Sequence, residues 1–196
     1  MKQLTTFLSC FCISLCSDLI PDQHHSNWTI IQENDIWVGY DYFGETPICR
    51  AIGILDYNID SVTSIIENIN NYPQVFDRVI SSKQIMPDGV HIVLDMPYPF
   101  AHRDYVVKYE TIENNMDKIF KFKATKNHNI PLTEDCIRLP NMEGEWYLTA
   151  HSNTETRLSY SWNGELLGSF PSWALNRAWK QQANEIFEWL NDELSK

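Results

Sequence analysis

Apolar and polar residues alternate with a period of two over most of this chain, which indicates β-strands that each bury one face. The first group of predicted strands covers residues 28–32, 36–43 and 48–55. The second group covers residues 78–86, 90–96, 104–112, 118–125, 136–139, 145–151 and 156–162. Turn signals of hairpin length, such as Asp88-Gly89, separate neighbouring segments, so the pattern predicts mostly antiparallel pairing.

The period changes to that of a helix between the two groups of strands and again at the end of the chain. Apolar residues recur at helical spacing over residues 62–69, and Asp60 and Ser61 are the predicted cap of this helix. Residues 72–77, with a proline in the first turn, predict a second short helix. From Pro171 onwards the pattern predicts one long amphipathic helix. Its apolar stripe consists of Leu175, Trp179, Gln182, Ala183, Ile186, Phe187 and Leu190.

The separation of strands from helices indicates an α+β fold with a mostly antiparallel sheet. A sheet of this length twists and curves, so its apolar face must wrap around another element, and the terminal helix is the obvious partner. We therefore predict a curved sheet wrapped around a long C-terminal helix, with two short helices after the third strand. Periodicity does not decide whether helix and sheet meet tightly or enclose a cavity.

The first residues have the pattern of a secretory signal. Lys2 carries a positive charge, residues 4–16 are apolar or small but too few to span a bilayer, and Ser14 and Cys16 have the spacing that cleavage requires. The predicted division is a signal peptide at 1–16, a linker at 17–27 and one domain at 28–196. Export to the periplasm or the extracellular space follows. A first core helix, and lipidation at an N-terminal cysteine, stay open as alternatives.

The charge of the chain narrows the classes of partner. A formal net charge of −11 disfavours nucleic acid, because binding to phosphates requires clustered lysine and arginine. It equally disfavours docking on anionic lipid through a basic patch. After the N-terminal segment no run of about 18 apolar residues occurs, so the sequence predicts no membrane-spanning helix.

No group of residues in the sequence indicates catalysis or metal binding. His24 and His25 have no third ligand nearby, and the other histidines are scattered. The chain has no nucleophile elbow, phosphate loop or dinucleotide fingerprint. Cys49 and Cys136 lie in separate strand segments, which favours two buried small side chains, although a disulfide stays open. We expect no metal, no cofactor and no catalytic residue.

A charged pair follows two prolines in the middle of the chain. Proline has no backbone donor, so Pro97 and Pro99 must lie at a strand end or a connection. Arg103 and Asp104 come directly afterwards, at the start of a predicted strand. The pattern favours a structural corner in which Arg103 binds a carboxylate or strand-end carbonyls and Asp104 accepts from backbone donors. Contact between Arg103 and a ligand head group is the alternative.

Arg138 lies between Ile137 and Leu139 in a predicted strand. An arginine that faces the interior of a sheet needs a carboxylate or a polar ligand group, so an inward Arg138 is the strongest candidate for contact with the polar end of a ligand. An outward Arg138 on a solvated face is the alternative.

Aromatic residues share strand faces in two places. Two sets alternate along their strands, namely Tyr105, Val107 and Tyr109 in one and Tyr160 and Trp162 in another. These residues suit a filled core, and they equally suit the wall of a cavity.

Four short motifs, taken in chain order, resemble those of the START (StAR-related lipid-transfer) domains, which have the helix-grip fold. They are Tyr-Pro-Gln-Val-Phe-Asp at 72–77, Pro-Phe-Ala-His-Arg-Asp-Tyr-Val at 99–106, Cys-Ile-Arg at 136–138 and Gly-Ser-Phe-Pro-Ser-Trp-Ala-Leu-Asn at 168–176. The chain departs from many members by being short and by carrying an export signal, so it looks like a bacterial, exported member.

The resemblance implies that one lipid or sterol-like molecule is held non-covalently between the sheet and the last helix, in a monomer. Trp173 and Trp179 on that helix join the expected ligand contacts. Transfer between membranes would bring Phe170 and Trp173 into transient contact with a bilayer. Cyclases that act on polyketides have a related fold, so an enzyme acting on a bound aromatic or polyketide-like substrate is the alternative function. A protein with a filled core and a structural role is the third hypothesis.

Overall fold

A ten-stranded sheet is the frame of the protein, and the computed structural model describes residues 19–114, 117–168 and 170–196. The strands are β1 (Thr29–Glu33), β2 (Trp37–Phe43), β3 (Thr46–Leu55), β4 (Val79–Met86), β5 (Gly89–Leu94), β6 (His102–Asn114), β7 (Asp117–Ala124), β8 (Cys136–Arg138), β9 (Glu143–Ala150) and β10 (Thr156–Asn163). The prediction of a curved antiparallel sheet is confirmed. The predicted segments coincide with these strands to within about two residues at most ends, the uncertainty usual for strand boundaries.

The order of strands across the sheet is β1-β2-β3-β10-β9-β7-β6-β5-β4, and neighbours in this order are antiparallel. The short strand β8 lies outside this order and pairs in parallel with the start of β6. Because β3 pairs with β10, the third strand and the last strand of the chain meet inside the sheet. This pairing holds the loop after β10, which leads to the last helix, against the first strands.

In the described residues three α-helices accompany the sheet, namely α1 (Ile59–Glu67), α2 (Tyr72–Val75) and α3 (Leu175–Leu194). Two short 3-10 helices, Ile69–Asn71 and Ser172–Ala174, directly precede α2 and α3. The two predicted short helices after the third strand, and the long C-terminal helix, are therefore confirmed. The predicted cap of α1 needs correction. Asn58 is the capping residue, because its Oδ1 accepts from the backbone N–H of Ser61 at 2.9 Å, while Asp60 already lies in the first turn.

Helix α3 packs its apolar stripe against the inner face of the sheet. The buried residues of the helix are Trp179, Ala183, Ile186, Phe187 and Leu190, all of them in the predicted stripe. Gly53 of β3 permits the close approach, since a Cβ atom there would lie 2.6 Å from the ring of Phe187. At the other end of the contact, Nε1 of Trp179 donates to the carbonyl of Gly164 at 2.8 Å. The helix is therefore held to both the sheet and the loop that precedes it.

The predicted signal peptide lies outside the described residues. Residues 19–27, predicted as a linker, are bound to the outer face of the sheet. The backbone N–H of Leu19 donates to Glu143 at 2.8 Å, and buried Arg50 donates to the carbonyl of Pro21 at 2.6 Å. The ordered packing of this segment was not predictable from its polar composition, because its partners lie far away in the sequence.

Candidate ligand-binding site

An internal cavity of about 120 Å³ lies among α2, α3 and the inner face of the sheet. Aromatic side chains form the largest group of residues in its wall. They are Tyr72, Phe76, Tyr105, Tyr109, Phe122, Trp146, Tyr160, Trp162 and Trp189. Polar residues contribute a smaller share, namely Arg78, Asp95, Arg103, Asn163, Glu165 and Gln182. A largely apolar enclosure with a few polar groups is the usual composition of a site for a small hydrophobic molecule.

Four of the aromatic rings form one stacked row. The ring of Trp146 lies 4.0 Å from that of Tyr160, and Tyr160 lies 5.0 Å from Trp162, with interplanar angles of 27° and 18°. Phe76 of the segment after α2 continues the row, 6.0 Å from Trp146. The pairing of β9 with β10 sets Trp146 opposite Tyr160, and Trp162 follows two residues later on the same face. The sheet register therefore builds a flat aromatic wall.

The tyrosine hydroxyls on the wall are neutral. Burial raises the pKa of Tyr105, Tyr109 and Tyr160 above the ordinary value for tyrosine. Burial raises the pKa of Tyr72 in the same way, and its hydroxyl donates to the carbonyl of Ile66 at 2.8 Å. At neutral pH these groups can donate or accept hydrogen bonds, but they do not act as bases.

A second space of about 300 Å³ adjoins the cavity. It lies between the connection from β5 to β6, the loop after β10 and the first half of α3. The two spaces share the lining residues Arg78, Met96, Leu166 and Gln182. We call this second space the outer cleft. Phe100 and Phe170 both line the outer cleft, and their ring centroids are 4.8 Å apart.

An ion pair spans the boundary between the cavity and the outer cleft. Arg78 donates Nε to one carboxylate oxygen of Glu185 at 2.6 Å and Nη2 to the other at 2.7 Å. The hydrogen bond to Glu185 raises the pKa of Arg78 above its usual range. Because Arg78 precedes β4 and Glu185 belongs to α3, the pair connects the edge of the sheet to the helix.

Arg103 is buried at the start of β6, with 1 % of its surface exposed, and it borders the cavity. Its Nε donates to the carbonyl of Leu166 at 2.6 Å, and its Nη2 donates to the carbonyl of Leu167 at 3.0 Å. Its Nη1 donates to the carbonyl of Ala101. Arg103 therefore ties the start of β6 to the loop before α3, which is the structural arrangement that the sequence favoured.

Asp104 has a different set of partners from the one expected. Its carboxylate, fully buried, accepts from Nε and Nη2 of Arg138 at 2.7 and 2.6 Å. The hydroxyl of Thr133 donates to it at 3.0 Å, and His91 lies 3.1 Å away. Burial alone raises the pKa of Asp104, but the hydrogen bonds from Arg138, His91 and Thr133 together lower it to about 2. Asp104 is thus ionised and chiefly paired with an arginine rather than with backbone donors.

The position of Arg138 changes the choice of candidate ligand contacts. Arg138 is not among the residues that line the cavity, and its guanidinium is occupied by Asp104 and by the carbonyl of Pro131, at 2.8 Å. An arginine beside a buried carboxylate satisfies that charge first. We therefore remove Arg138 from the candidates for ligand contact and regard it as a structural partner of Asp104.

The other predicted contacts divide into two groups. Those that line the cavity are Tyr105, Tyr109, Tyr160 and Trp162. Those that do not are Val107, Trp173 and Trp179. Val107 and Trp179 are buried in the packed core, whereas 84 % of the surface of Trp173 is exposed. Val107 shares the face of Tyr105 and Tyr109, but neighbouring side chains cover it completely.

Sequence reasoning missed several wall residues. Trp146 alternates correctly within its strand, yet only the pairing of β9 with β10 sets it beside Tyr160. Gln182 lies in the predicted apolar stripe of α3, and its place in that stripe predicts packing against the sheet rather than a position at a cavity. Phe76 lies at the end of α2, and Arg78 lies just before β4. At such positions between two elements, periodicity does not predict the direction in which a side chain points.

Further structural observations concern metals, thiols and membranes. Within the described ranges, no group of three or more histidine, cysteine, aspartate or glutamate residues could hold a metal ion. Cys49 and Cys136 are both buried as free thiols. Among the helices of the described residues, none combines the length and the apolarity needed to cross a membrane.

Solved structures of other proteins share this architecture. The STAR-related lipid transfer protein of Xanthomonas axonopodis superimposes with a TM-score of 0.75, covering 87% of this chain and 100% of the other at 18% identity. The chain has the START fold. Human StAR-related lipid transfer protein 5 gives a TM-score of 0.80 over 88% of each chain at 14% identity.

The chain is also similar to proteins that are not named as lipid transfer proteins. The Zhui aromatase/cyclase of Streptomyces sp. R1128 has a TM-score of 0.53 at 10% identity and covers 76% of this chain and 94% of that one. An uncharacterised protein of Pseudomonas aeruginosa is 31% identical over 131 residues, 65% of this chain and 65% of its own length. The chain therefore spans about two thirds of that relative. No family model matches the sequence.

Proposed function

We propose that this protein binds one lipid or other hydrophobic molecule, non-covalently, in the cavity between the sheet and α3. One observation carries the proposal: the START fold here contains a cavity whose wall is mainly apolar and rich in aromatic side chains. Burial of apolar ligand surface in such a wall contributes about 25 cal/mol per Å². The fold neighbours from Xanthomonas axonopodis and human are named as lipid transfer proteins, which supports the same class of ligand.

The sizes of the two spaces suggest how a ligand lies. The cavity of about 120 Å³ is comparable to an engineered cavity of about 150 Å³ that accepts benzene. A lipid of ordinary size therefore fills the cavity with one apolar portion and extends into the outer cleft of about 300 Å³. Because Arg78 and Glu185 stand between the two spaces, they move apart or shift when a long molecule occupies both.

Transfer to and from a membrane is the finer part of the proposal. Tyr98 and Trp173 expose 97% and 84% of their surfaces. Tyr98 lies between the outer-cleft residues Pro97 and Phe100, and Trp173 lies directly before Ala174, which also lines the outer cleft. Aromatic side chains partition well into the interfacial region of a bilayer. We assign these two residues to transient contact with an uncharged membrane surface, because the net charge of −11 opposes anionic lipid.

The cellular setting is proposed on the sequence alone. The N-terminal pattern supports export and removal of residues 1–16, after which the domain acts as a monomer in the periplasm or outside the cell.

Native mass spectrometry of protein purified from its own host tests the proposal. We expect one small molecule per chain, released on denaturation and identified by its mass. Val79→Phe, which adds bulk at the cavity wall, should abolish co-purification. Ile54→Phe, at a site on β3 that is 42% exposed, is the matched control and should retain the ligand. Ligand-free protein from both variants and the native chain would refute the proposal.

An aromatase/cyclase is the second candidate, because one fold neighbour carries that name and the stacked row of aromatic rings suits a planar substrate. Incubation with a linear poly-β-ketone, followed by mass spectrometry, tests it. Ring closure with loss of water at a rate above that of the buffer alone supports the enzyme. Unchanged ketone alongside a co-purifying lipid supports binding without catalysis.

A further inference from the structure

Two buried indole N–H groups on the cavity wall have no acceptor. Trp146 and Trp162 expose only 3% and 2% of their surfaces, and both line the cavity. Within the part of the chain that the structure describes, neither Nε1 has a hydrogen-bond partner. By contrast, Nε1 of Trp28 donates to the carbonyl of His25 at 2.9 Å, and Trp179 is satisfied by Gly164. A buried donor without a partner destabilises the fold, so two of them at one cavity require an explanation.

The sheet itself offers these indoles no acceptor. Trp146 and Trp162 lie on the inner face, whereas the backbone carbonyls of β9 and β10 lie in the plane of the sheet and are engaged in its ladders. Both indole rings stack on Tyr160, whose ring occupies the space between them. Of the polar residues next to them in sequence, Glu145 and Ser161 belong to the outer face because side chains alternate along a strand. The side-chain oxygen of Asn163 already accepts from the backbone N–H of Glu165 at 2.9 Å. An acceptor for these donors therefore has to come from within the cavity.

We propose that the ligand carries at least one neutral oxygen acceptor, a ketone or ester carbonyl, which receives the indole N–H of Trp146 or Trp162. This inference rests on the proposed function and adds the chemistry of the ligand. A neutral oxygen is favoured over a carboxylate, because an unpaired anion is expensive to bury against uncharged aromatic rings. The tyrosines around the two indoles are themselves protonated, since burial raises their pKa. A pure hydrocarbon would leave both donors unsatisfied.

Three small probes of similar shape test this chemistry. Acetophenone is a ketone, methyl benzoate is an ester, and ethylbenzene replaces the ketone carbonyl by a methylene group. Each is titrated into protein labelled with ¹⁵N, and the indole N–H signals are followed by NMR. We expect the ketone or the ester to move the Trp146 or Trp162 indole proton downfield, as hydrogen bonding to oxygen does. Ethylbenzene should bind without that shift. A larger shift with acetophenone than with methyl benzoate would indicate a ketone ligand, and a larger shift with methyl benzoate would indicate an ester ligand.

Substitution of each tryptophan supplies a second measurement. Phenylalanine keeps an aromatic ring and removes the donor, so Trp146→Phe or Trp162→Phe should lower the preference for acetophenone over ethylbenzene by about threefold to tenfold. Trp28→Phe is the matched control, because its indole is already satisfied on the outer face, and it should leave the preference unchanged. The ratio of the two dissociation constants cancels any general loss of binding.

Several outcomes would overturn the inference. Equal preference in the native protein and in both cavity variants refutes it, as does an indole proton that acetophenone leaves unmoved. If a variant does not fold, the shifts in the native protein decide, since they require no substitution at the wall. Binding of all three probes with no oxygen preference refutes only the inference. Failure of every probe, together with protein that purifies without a ligand, refutes the proposed function itself.

Discussion

Arg138 donates two parallel hydrogen bonds to the carboxylate of Asp104, from Nε at 2.7 Å and from Nη2 at 2.6 Å. Asp104 belongs to β6 and Arg138 to β8, and the two strands run parallel with these residues in register. The pair therefore fastens the short strand β8 to the main sheet. Asp104 is fully buried, and 24% of the Arg138 side chain is exposed. An ion pair with this geometry is stronger than an exposed one.

Replacement of Arg138 by leucine should destabilise the fold rather than affect ligand binding directly. The change leaves the buried carboxylate of Asp104 without its main partner, which costs about 3 kcal/mol in the free energy of unfolding. Chemical denaturation followed by tryptophan fluorescence measures the loss. Arg177→Leu, which removes an exposed arginine on α3, should change the stability by less than about 0.5 kcal/mol. A stable Arg138→Leu protein with weakened ligand binding would restore Arg138 as a ligand contact.

The stability of the protein should depend on pH through Asp104. The pKa of this residue is about 2 in the folded chain, against roughly 3.9 in an unfolded one. Because the folded pKa is the lower of the two, the ionised carboxylate stabilises the fold fully above about pH 4, and this contribution is lost as the pH falls towards 2.

Asp104→Asn isolates this effect, since asparagine does not titrate. We expect the native protein to be the more stable of the two at pH 7, and the gap between their free energies of unfolding to narrow between about pH 4 and pH 2. Urea titrations at a series of pH values measure the gap. A gap that stays constant over this range would contradict the assigned pKa.

Gly53 should tolerate no side chain. A methyl group there would lie 2.6 Å from the ring of Phe187, so Gly53→Ala forces α3 away from β3 and should cost about 1–3 kcal/mol of stability. Thermal unfolding measures the loss. Phe187→Leu in the Gly53→Ala background removes the clashing ring and should cost less than the sum of the two single substitutions. If the two losses of stability were additive, the Cβ atom at position 53 would not clash with the ring of Phe187.

Trp173 should matter at membranes and not for folding. With 84% of its surface exposed, Trp173→Ala should change the free energy of unfolding by less than about 0.5 kcal/mol. The Trp173→Ala protein should bind vesicles of phosphatidylcholine severalfold more weakly than the native protein does, because it lacks an interfacial aromatic ring. Sedimentation of the vesicles measures this binding. Ile54→Ala is the control. It removes an exposed apolar residue at the C-terminal end of β3 and should leave vesicle binding unchanged. Equal vesicle binding by all three proteins would exclude this surface.

Local periodicity predicted most of the elements, because a strand or a helix imposes its own spacing on a few neighbouring residues. Tyr160 and Trp162 share a face for that reason, and the prediction that they point the same way needed no knowledge of the rest of the chain. The cap of α1 was displaced by two residues, since asparagine, aspartate and serine all suit that position and only the backbone geometry distinguishes Asn58.

The candidate site was predicted less completely. Arg138 is separated from Asp104 by 34 positions, and in a strand of three residues the alternation of polar and apolar side chains is too short to show direction. Trp146 became a wall residue through the register of β9 against β10, which depends on the turn between them. The packing of residues 19–27 on the outer face similarly depends on partners more than a hundred positions away.

The sequence by itself determined the class of fold, the order of its elements and the faces that are apolar, since each of these follows from spacing within a few residues. Only the tertiary structure decided that Arg103 binds loop carbonyls, that Arg138 binds Asp104 and that a cavity remains beside α3. Ion pairs, orphan donors and cavities depend on distances between residues far apart in the chain. Those distances exist only once the sheet has curved and the helix has packed against it.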